Sequence, residues 1–350
     1  MLEQLFPCRQ LLALEADLLA ASEPAAMPVL AQRIANLAQS LIKAGNDGLL
    51  VTQLISALND RLTARLLELL RHRHRLPDVD WCWLALGSEG RQEQTLVTDQ
   101  DNALIFSATD PREAAALRSL FQPFASDVNQ QLAACGFQLC PGGIMAGNAD
   151  WCLSFDEWRE RFIDWVRRPD PQALLNASIF FDLRPLFGAL HLGERLQQLF
   201  LSMTCDTPAF LHLMAANALQ ADVPLGFRGE PQTDEAGVID LKKFGSRIFV
   251  DAARIFALAA PVSAVGSVER MLAAGRANGL QEEEIPAVNA AFAHLLRLRL
   301  QGQVADAEAG NPPRHGLKLN GLHEVDQAIL KEALRQARRL QQRLKLNYAL

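Results

Sequence analysis

The chain has 350 residues, 49% apolar and 21% charged, enough for about two domains with a sizeable core. A net charge of −6 and a pI of about 5.7 argue against a general nucleic-acid binder, which carries a basic face. No uncharged apolar run reaches the roughly 18 residues of a membrane span, and no basic region precedes an apolar signal core, so a cytoplasmic protein without a membrane partner is expected.

Plentiful Leu and Ala and a single Tyr point to a mostly helical protein. The cysteines, Cys8, Cys82, Cys135, Cys140, Cys152 and Cys205, form no C-x-x-C pair, which speaks against zinc. Cys82 lies in an apolar run and reads as a small core residue.

In chain order, leucines on one side predict a helix over 8–21, interrupted by Pro24 and Pro28. A second helix over 29–44 stops at Gly45-Asn46. A third, over 47–75, carries Leu50, Leu54, Leu58, Leu62, Leu66 and Leu69 at helical spacing and ends before Pro77. Its basic end, Arg71 to Arg75, reads as a solvated terminus whose cations complement the helix dipole. Strands are expected over 80–86 and 101–106, then an amphipathic helix over 111–134. Phe137 to Cys140 is a short strand candidate before the turn Pro141-Gly142-Gly143. From Asp156 the pattern is almost wholly helical, with candidates at 155–168, 190–203, 208–221, 240–260, 267–277, 282–301 and 322–346. Two loops interrupt it, Gly226 to Gly237, a lid candidate, and Ala305 to Gly316. The expected organisation is an N-terminal helical region over 1–76, a core over 77–155 and a helical domain over 156–350.

One stretch carries chemistry. The apolar run Trp81 to Leu86 ends in Gly87-Ser88-Glu89-Gly90-Arg91, and Asp99-Gln100-Asp101 leads into the next apolar run. On an extended segment Asp99 and Asp101 face the same side. Two converging carboxylates need a cation between them, and hard oxygen ligands suit Mg²⁺, which also takes substrate phosphates. Gly87 and Gly90 permit a tight turn and close approach of a ligand, Ser88 adds a hydroxyl, and Arg91 supplies a forked cation for phosphate.

Gly87-Ser88, followed by Asp99-x-Asp101, resembles the signature of polymerase-β-type nucleotidyltransferases. The longer string through Thr98-Asp99-Gln100-Asp101-Asn102-Ala103 is similar to a bacterial nucleotidyltransferase family often attached to CBS domains and related to the uridylyltransferase of the PII signalling protein. The likeness continues through Cys140 to Gly143, Leu175 to Arg184 and Asp240 to Lys243. CBS domains themselves are not evident. The resemblance implies an α+β fold: a small mixed-sheet core, N-terminal helices and a C-terminal all-helical domain that helps bind substrate. It implies a nucleoside triphosphate as substrate, Mg²⁺ held by Asp99 and Asp101, and transfer of a nucleotidyl group to a protein or small-molecule hydroxyl.

Other charged and aromatic residues bear on that site. Lys242 and Lys243, within two helical turns of Arg247, are expected to neutralise the triphosphate from across a cleft. The superfamily's third carboxylate is not evident around Phe137 to Met145, and Asp150 is the nearest acid. Glu89 and Glu93, at i and i+4, read as first-turn carboxylates on one helix face, and Asp182 and Arg184 as structural ion pairs, with each other or with neighbouring helices. Trp158, Phe162 and Trp165 read as core, and His191, His212, His294, His315 and His323 have no ligand-like spacing. The rival function is a non-catalytic nucleotide-binding signalling or scaffold protein with a degenerate site.

Overall fold

The computed structural model describes residues 2–350, with side chains from residue 9 onward; Cys8 lies outside the described side chains. The fold is α+β, with a small mixed sheet and many helices. The chain divides into two compact units, the first formed by Met1–Gly45, Val51–Ile163 and Asp182–Leu199, the second by Asn46–Leu50, Asp164–Phe181 and Phe200–Leu350.

The first unit is built on a four-stranded sheet: β1 (Trp81–Ala85), β2 (Asn102–Phe106), β3 (Cys152–Ser154) and β4 (Arg184–Gly188), in the order β3-β2-β1-β4. β1 is antiparallel to both neighbours and β2 is parallel to β3. Every residue of β1 and β2 is buried, which is why both read as continuous apolar runs rather than alternating ones. Trp81 pairs with Phe106 and Trp83 with Leu104, so the aromatic and aliphatic residues share one face. That face packs on Phe121, Phe124 and Val128 of the helix Pro111–Ala134 and on Leu58, Leu62, Leu66 and Leu70 of the helix Gly48–His74. Each such side chain, fully buried, contributes about 1.5–3 kcal/mol. Asp110 starts the helix Pro111–Ala134 by accepting the N–H groups of Arg112 and Glu113, with Pro at the first position. Trp158 and Phe162 are buried as expected, and the Trp158 indole donates to the Leu104 carbonyl.

The basic helix end is held by carboxylates. Arg71 and His72 meet Glu68, Arg73 meets Glu23 and His74 meets Asp127. Arg75 then takes a left-handed φ of 46° and the helix stops. Cys82 is a core thiol, pushed up to about 12 by burial.

Two expectations are corrected here. β4 comes from a stretch expected to be helical, and it joins the sheet beside β1. The strand candidate near Phe137 is reduced to one bridge between Asp99 and Gln138, and the partner of β2 on that side is β3.

The second unit is helical. Its buried centre is the helix Arg247–Ala259, where every residue from Ile248 to Leu258 is buried. Around it pack the helices Pro208–Ala218, Ser267–Ala274 and Glu324–Tyr348. The helix Pro171–Phe180, absent from the sequence reading, opens with Pro171 and an Asp170 cap on Ala173. A two-stranded ribbon pairs β5 (Val238–Asp240) with β6 (Gly316–Lys318), so it ties the ends of the two predicted loops together. Among the described residues no single helix is long and apolar enough to cross a membrane.

Candidate functional site

β1 delivers the turn. Leu86 is still extended, Gly87 takes a left-handed φ of +53°, and a single helical turn runs Gly87–Gly90. The two glycines have different tasks. A Cβ on Gly87 would lie 2.7 Å from Asp101 Oδ2, so the aspartate occupies the space that a side chain would fill. A Cβ on Gly90 would lie 2.0 Å from the Asp182 carbonyl oxygen, so this glycine serves backbone packing rather than a ligand.

The aspartates come from the entry to β2. The Leu86 N–H donates to the Asp101 carbonyl at 2.9 Å, continuing the β1–β2 ladder. Gln100 and Asn102 point into the protein. Gln100 donates to the carbonyls of Asn129 and Phe137, and Asn129 donates to the side-chain oxygens of Gln100 and Asn102. With the even positions anchored on the helix Pro111–Ala134, the strand's alternation puts Asp99 and Asp101 on the opposite face, both partly exposed. Cys140 hydrogen-bonds Asp101, and burial, reinforced by that carboxylate, raises its thiol above the ordinary range.

Behind the turn stands a charged network. The Arg91 guanidinium donates to Glu93 Oε2 at 2.7 Å and to Asp182 Oδ2 at 2.6 Å. Arg184 donates to the carbonyls of Gly90 and Glu89, at 3.1 and 3.0 Å, and to Asp60 Oδ1 at 2.8 Å. These bonds fix the turn from behind by its carbonyls, while the Gly90 N–H closes the turn on the Leu86 carbonyl. Glu89 is buried in the same place. Burial, with the Asp60 and Asp101 carboxylates adding and Arg184 opposing, pushes its carboxyl up to about 8.

Two expectations change here and one alternative is settled. Arg91, expected to reach phosphate, is engaged by two carboxylates and is only 12% exposed. Of the two alternatives for Asp182 and Arg184, the structure shows the second: they pair with neighbouring elements, Asp182 with Arg91 and Arg184 with Asp60 of the helix Gly48–His74. Glu89 and Glu93 do not share a helix face, because Gln92 takes a φ of +58° and ends the turn. Asp150 is exposed in a short 3-10 turn, Ala149–Trp151, where its carbonyl accepts from Arg161. Among the described residues no group of three or more His, Cys, Asp or Glu is disposed to hold a metal.

The sequence reading missed Asp60 and its neighbours. Thr52, Ser56, Asn59 and Thr63 are buried polar residues at spacings of three and four on the helix Gly48–His74. Ser56 accepts the Gln94 N–H, Asn59 donates to the Gln94 side chain and Asp60 accepts from Gln92. A polar line beside the leucine stripe was the available signal that this helix supports the motif loop.

Comparison with known families decides what the arrangement is. The family described as "Putative nucleotidyltransferase DUF294" matches residues 32–172, and "Putative nucleotidyltransferase substrate binding domain" matches residues 208–348. The chain belongs to this nucleotidyltransferase family. No curated protein matches it in sequence. The first match contains Gly87, Ser88, Asp99 and Asp101, and a nucleotidyltransferase domain implies a nucleotide substrate.

The second match contains Lys242 and Lys243. β5 delivers them to a π-type turn, Lys242–Ser246. Asp240 Oδ1 accepts both lysine N–H groups at 2.9 Å, which fixes the backbone and leaves the side chains exposed. Lys243 Nζ lies 4.8 Å from the centre of the Phe244 ring.

Proposed function

We propose that this nucleotidyltransferase uses Mg²⁺ and transfers a nucleoside monophosphate from a nucleoside triphosphate to a hydroxyl of a protein or small-molecule acceptor, releasing pyrophosphate. The single observation that carries the reading is the seating of Asp101 Oδ2 against the bare Cα of Gly87. It puts a hard-oxygen ligand against the glycine turn, with the half-exposed Ser88 beside it and Asp99 one pleat away on the same strand face.

Asp99 and Asp101 would hold the cation. This donor set suits Mg²⁺, which takes one or two carboxylates and completes its shell with water and phosphate oxygens. Bound there, Mg²⁺ would supply charge neutralisation at the phosphates. Gly87 and Ser88 would donate to phosphate oxygens through their N–H groups and the Ser88 hydroxyl. Arg91 and Arg184 hold that turn in place. Lys242 and Lys243 are the cations that the substrate-binding segment presents to an anionic substrate. In the step itself the acceptor oxygen bonds to the α-phosphorus while the bond to the α,β-bridging oxygen breaks. Pyrophosphate leaves and the hydroxyl proton passes to solvent. The relation to the PII uridylyltransferase family makes a signalling protein one class of acceptor.

Incubation with labelled triphosphates and candidate acceptors tests this. Label transfer is expected, with a loss of about 100-fold or more in Asp99→Ala/Asp101→Ala. Transfer that survives the double substitution contradicts the mechanism. A second reading, a nucleotide-binding signalling protein without turnover, is favoured by the position of Asp150, exposed and held through its backbone in another turn. Calorimetry with Mg²⁺-ATP and Mg²⁺-UTP, combined with pyrophosphate assays, separates the two: binding without release supports the sensor.

A further inference from the structure

The second unit contains a polar cavity of about 410 Å³ that the proposed chemistry does not use. One wall is a single face of the helix Glu324–Tyr348, on which Arg338, Gln341, Gln342 and Lys345 stand at i, i+3, i+4 and i+7. The other wall is the 221–232 loop, which contributes Asp222 and Gln232 beside the apolar Val223 and Leu225.

The walls are fastened to each other. Arg338 donates to the Leu225 carbonyl and Gln341 to the Ala221 carbonyl, both at 2.6 Å. The loop closes on itself through Gly226 N–H to the Glu230 carbonyl and Gln232 N–H to the Pro224 carbonyl, both at 2.8 Å. Such a cavity is preformed, within the volume range of small-molecule sites, and needs little ordering to bind.

Its chemistry selects the ligand. One bond occupies a single N–H of Arg338; the rest of that guanidinium and the Lys345 ammonium have no carboxylate partner among the described residues. From Ala333 to Leu350 the sequence contains no acid, in a chain whose net charge is −6. The two cations lie seven residues apart, about 10 Å along the helix axis. Between and opposite them are amides and the Asp222 carboxylate, which suit hydroxyl groups rather than hydrocarbon.

We propose that this cavity binds a small hydroxylated metabolite bearing one anionic group, a phosphate monoester or a carboxylate, with the anion at Arg338 or Lys345 and the hydroxyls toward Gln341, Gln342 and Asp222.

Titration calorimetry of the full chain with glucose 6-phosphate, gluconate and glucose tests it, since the three probes share a polyol body and differ in charge. Saturable binding is expected for glucose 6-phosphate or gluconate, at least tenfold tighter than for glucose. The arm that binds identifies which anion is recognised. Lys345→Gln, at an exposed position, is expected to weaken it tenfold, Arg338→Gln at least as much, and Asp99→Ala/Asp101→Ala not at all. Insensitivity to the double aspartate substitution keeps this test separate from that of the transferase reading. Absence of binding by both anionic probes, equal binding of glucose, or affinity unchanged in both Arg338→Gln and Lys345→Gln overturns the proposal.

Discussion

Two turns invite comparison, Gly87–Gly90 in the first unit and Lys242–Ser246 in the second. Each follows a short strand and each has its backbone fixed by polar groups. In the first, the charges face inward: Arg91 and Arg184 meet Glu93, Asp182 and Asp60, and the result is a rigid backbone. In the second, one aspartate holds the backbone N–H groups and the two lysines are exposed. The first turn therefore uses charge to hold geometry and the second to present charge. Sequence alone does not separate the two uses, since both are short runs of small and cationic residues.

Substitutions break this comparison in order of size. Arg91→Gln leaves the buried Asp182 and Glu93 without their cation and is expected to destabilise the fold by about 3–5 kcal/mol in denaturant unfolding. A change below about 1 kcal/mol would mean that the network is ornamental. Gly90→Ala drives a methyl into the Asp182 carbonyl and is expected to lose about 2–3 kcal/mol by the same measurement.

Glu89 tests the inward-facing charges through pH. Its carboxyl sits at about 8 in the folded chain against an ordinary 4.5, so the folded state keeps a proton that the unfolded state releases. The unfolded chain thus binds fewer protons across this window, and stability falls as pH rises. The contribution is complete below 4.5 and lost by about 8. In EDTA, wild type should lose about 2–4 kcal/mol over that range relative to Glu89→Gln. Parallel pH profiles for the two proteins would show that Glu89 ionises freely. At the small end, Lys242→Gln/Lys243→Gln should leave stability within about 0.5 kcal/mol and raise the KM for nucleotide. A large stability loss would place these lysines with Arg91 as holders of geometry.

The fold was legible where one element makes its own pattern. β1, β2 and the long helices carry runs or periodicities that require no knowledge of their neighbours. β4 was not legible: Arg184-Pro185-Leu186-Phe187-Gly188 is an edge strand with a proline and partial burial, and it lacks both the apolar run and the alternation. The site divides in the same way. Gly87, Ser88, Asp99 and Asp101 are contiguous enough to be recognised together. The Arg91–Asp182 and Arg184–Asp60 pairs join residues about a hundred positions apart, and only the fold brings them together. The high carboxyl of Glu89 was hidden for a related reason: a carboxyl's neighbours decide whether it is buried, and its sequence position suggested only a first-turn acid.

The central claim is that Asp99 and Asp101 join a cation to a nucleotide at the Gly87 turn. Calorimetric titration of a nucleoside triphosphate, with and without Mg²⁺, into wild type and Asp99→Asn/Asp101→Asn tests it most directly. The account predicts binding that depends on Mg²⁺ in wild type and is lost in the double variant. Equal Mg²⁺-dependent affinity in the two proteins would contradict it.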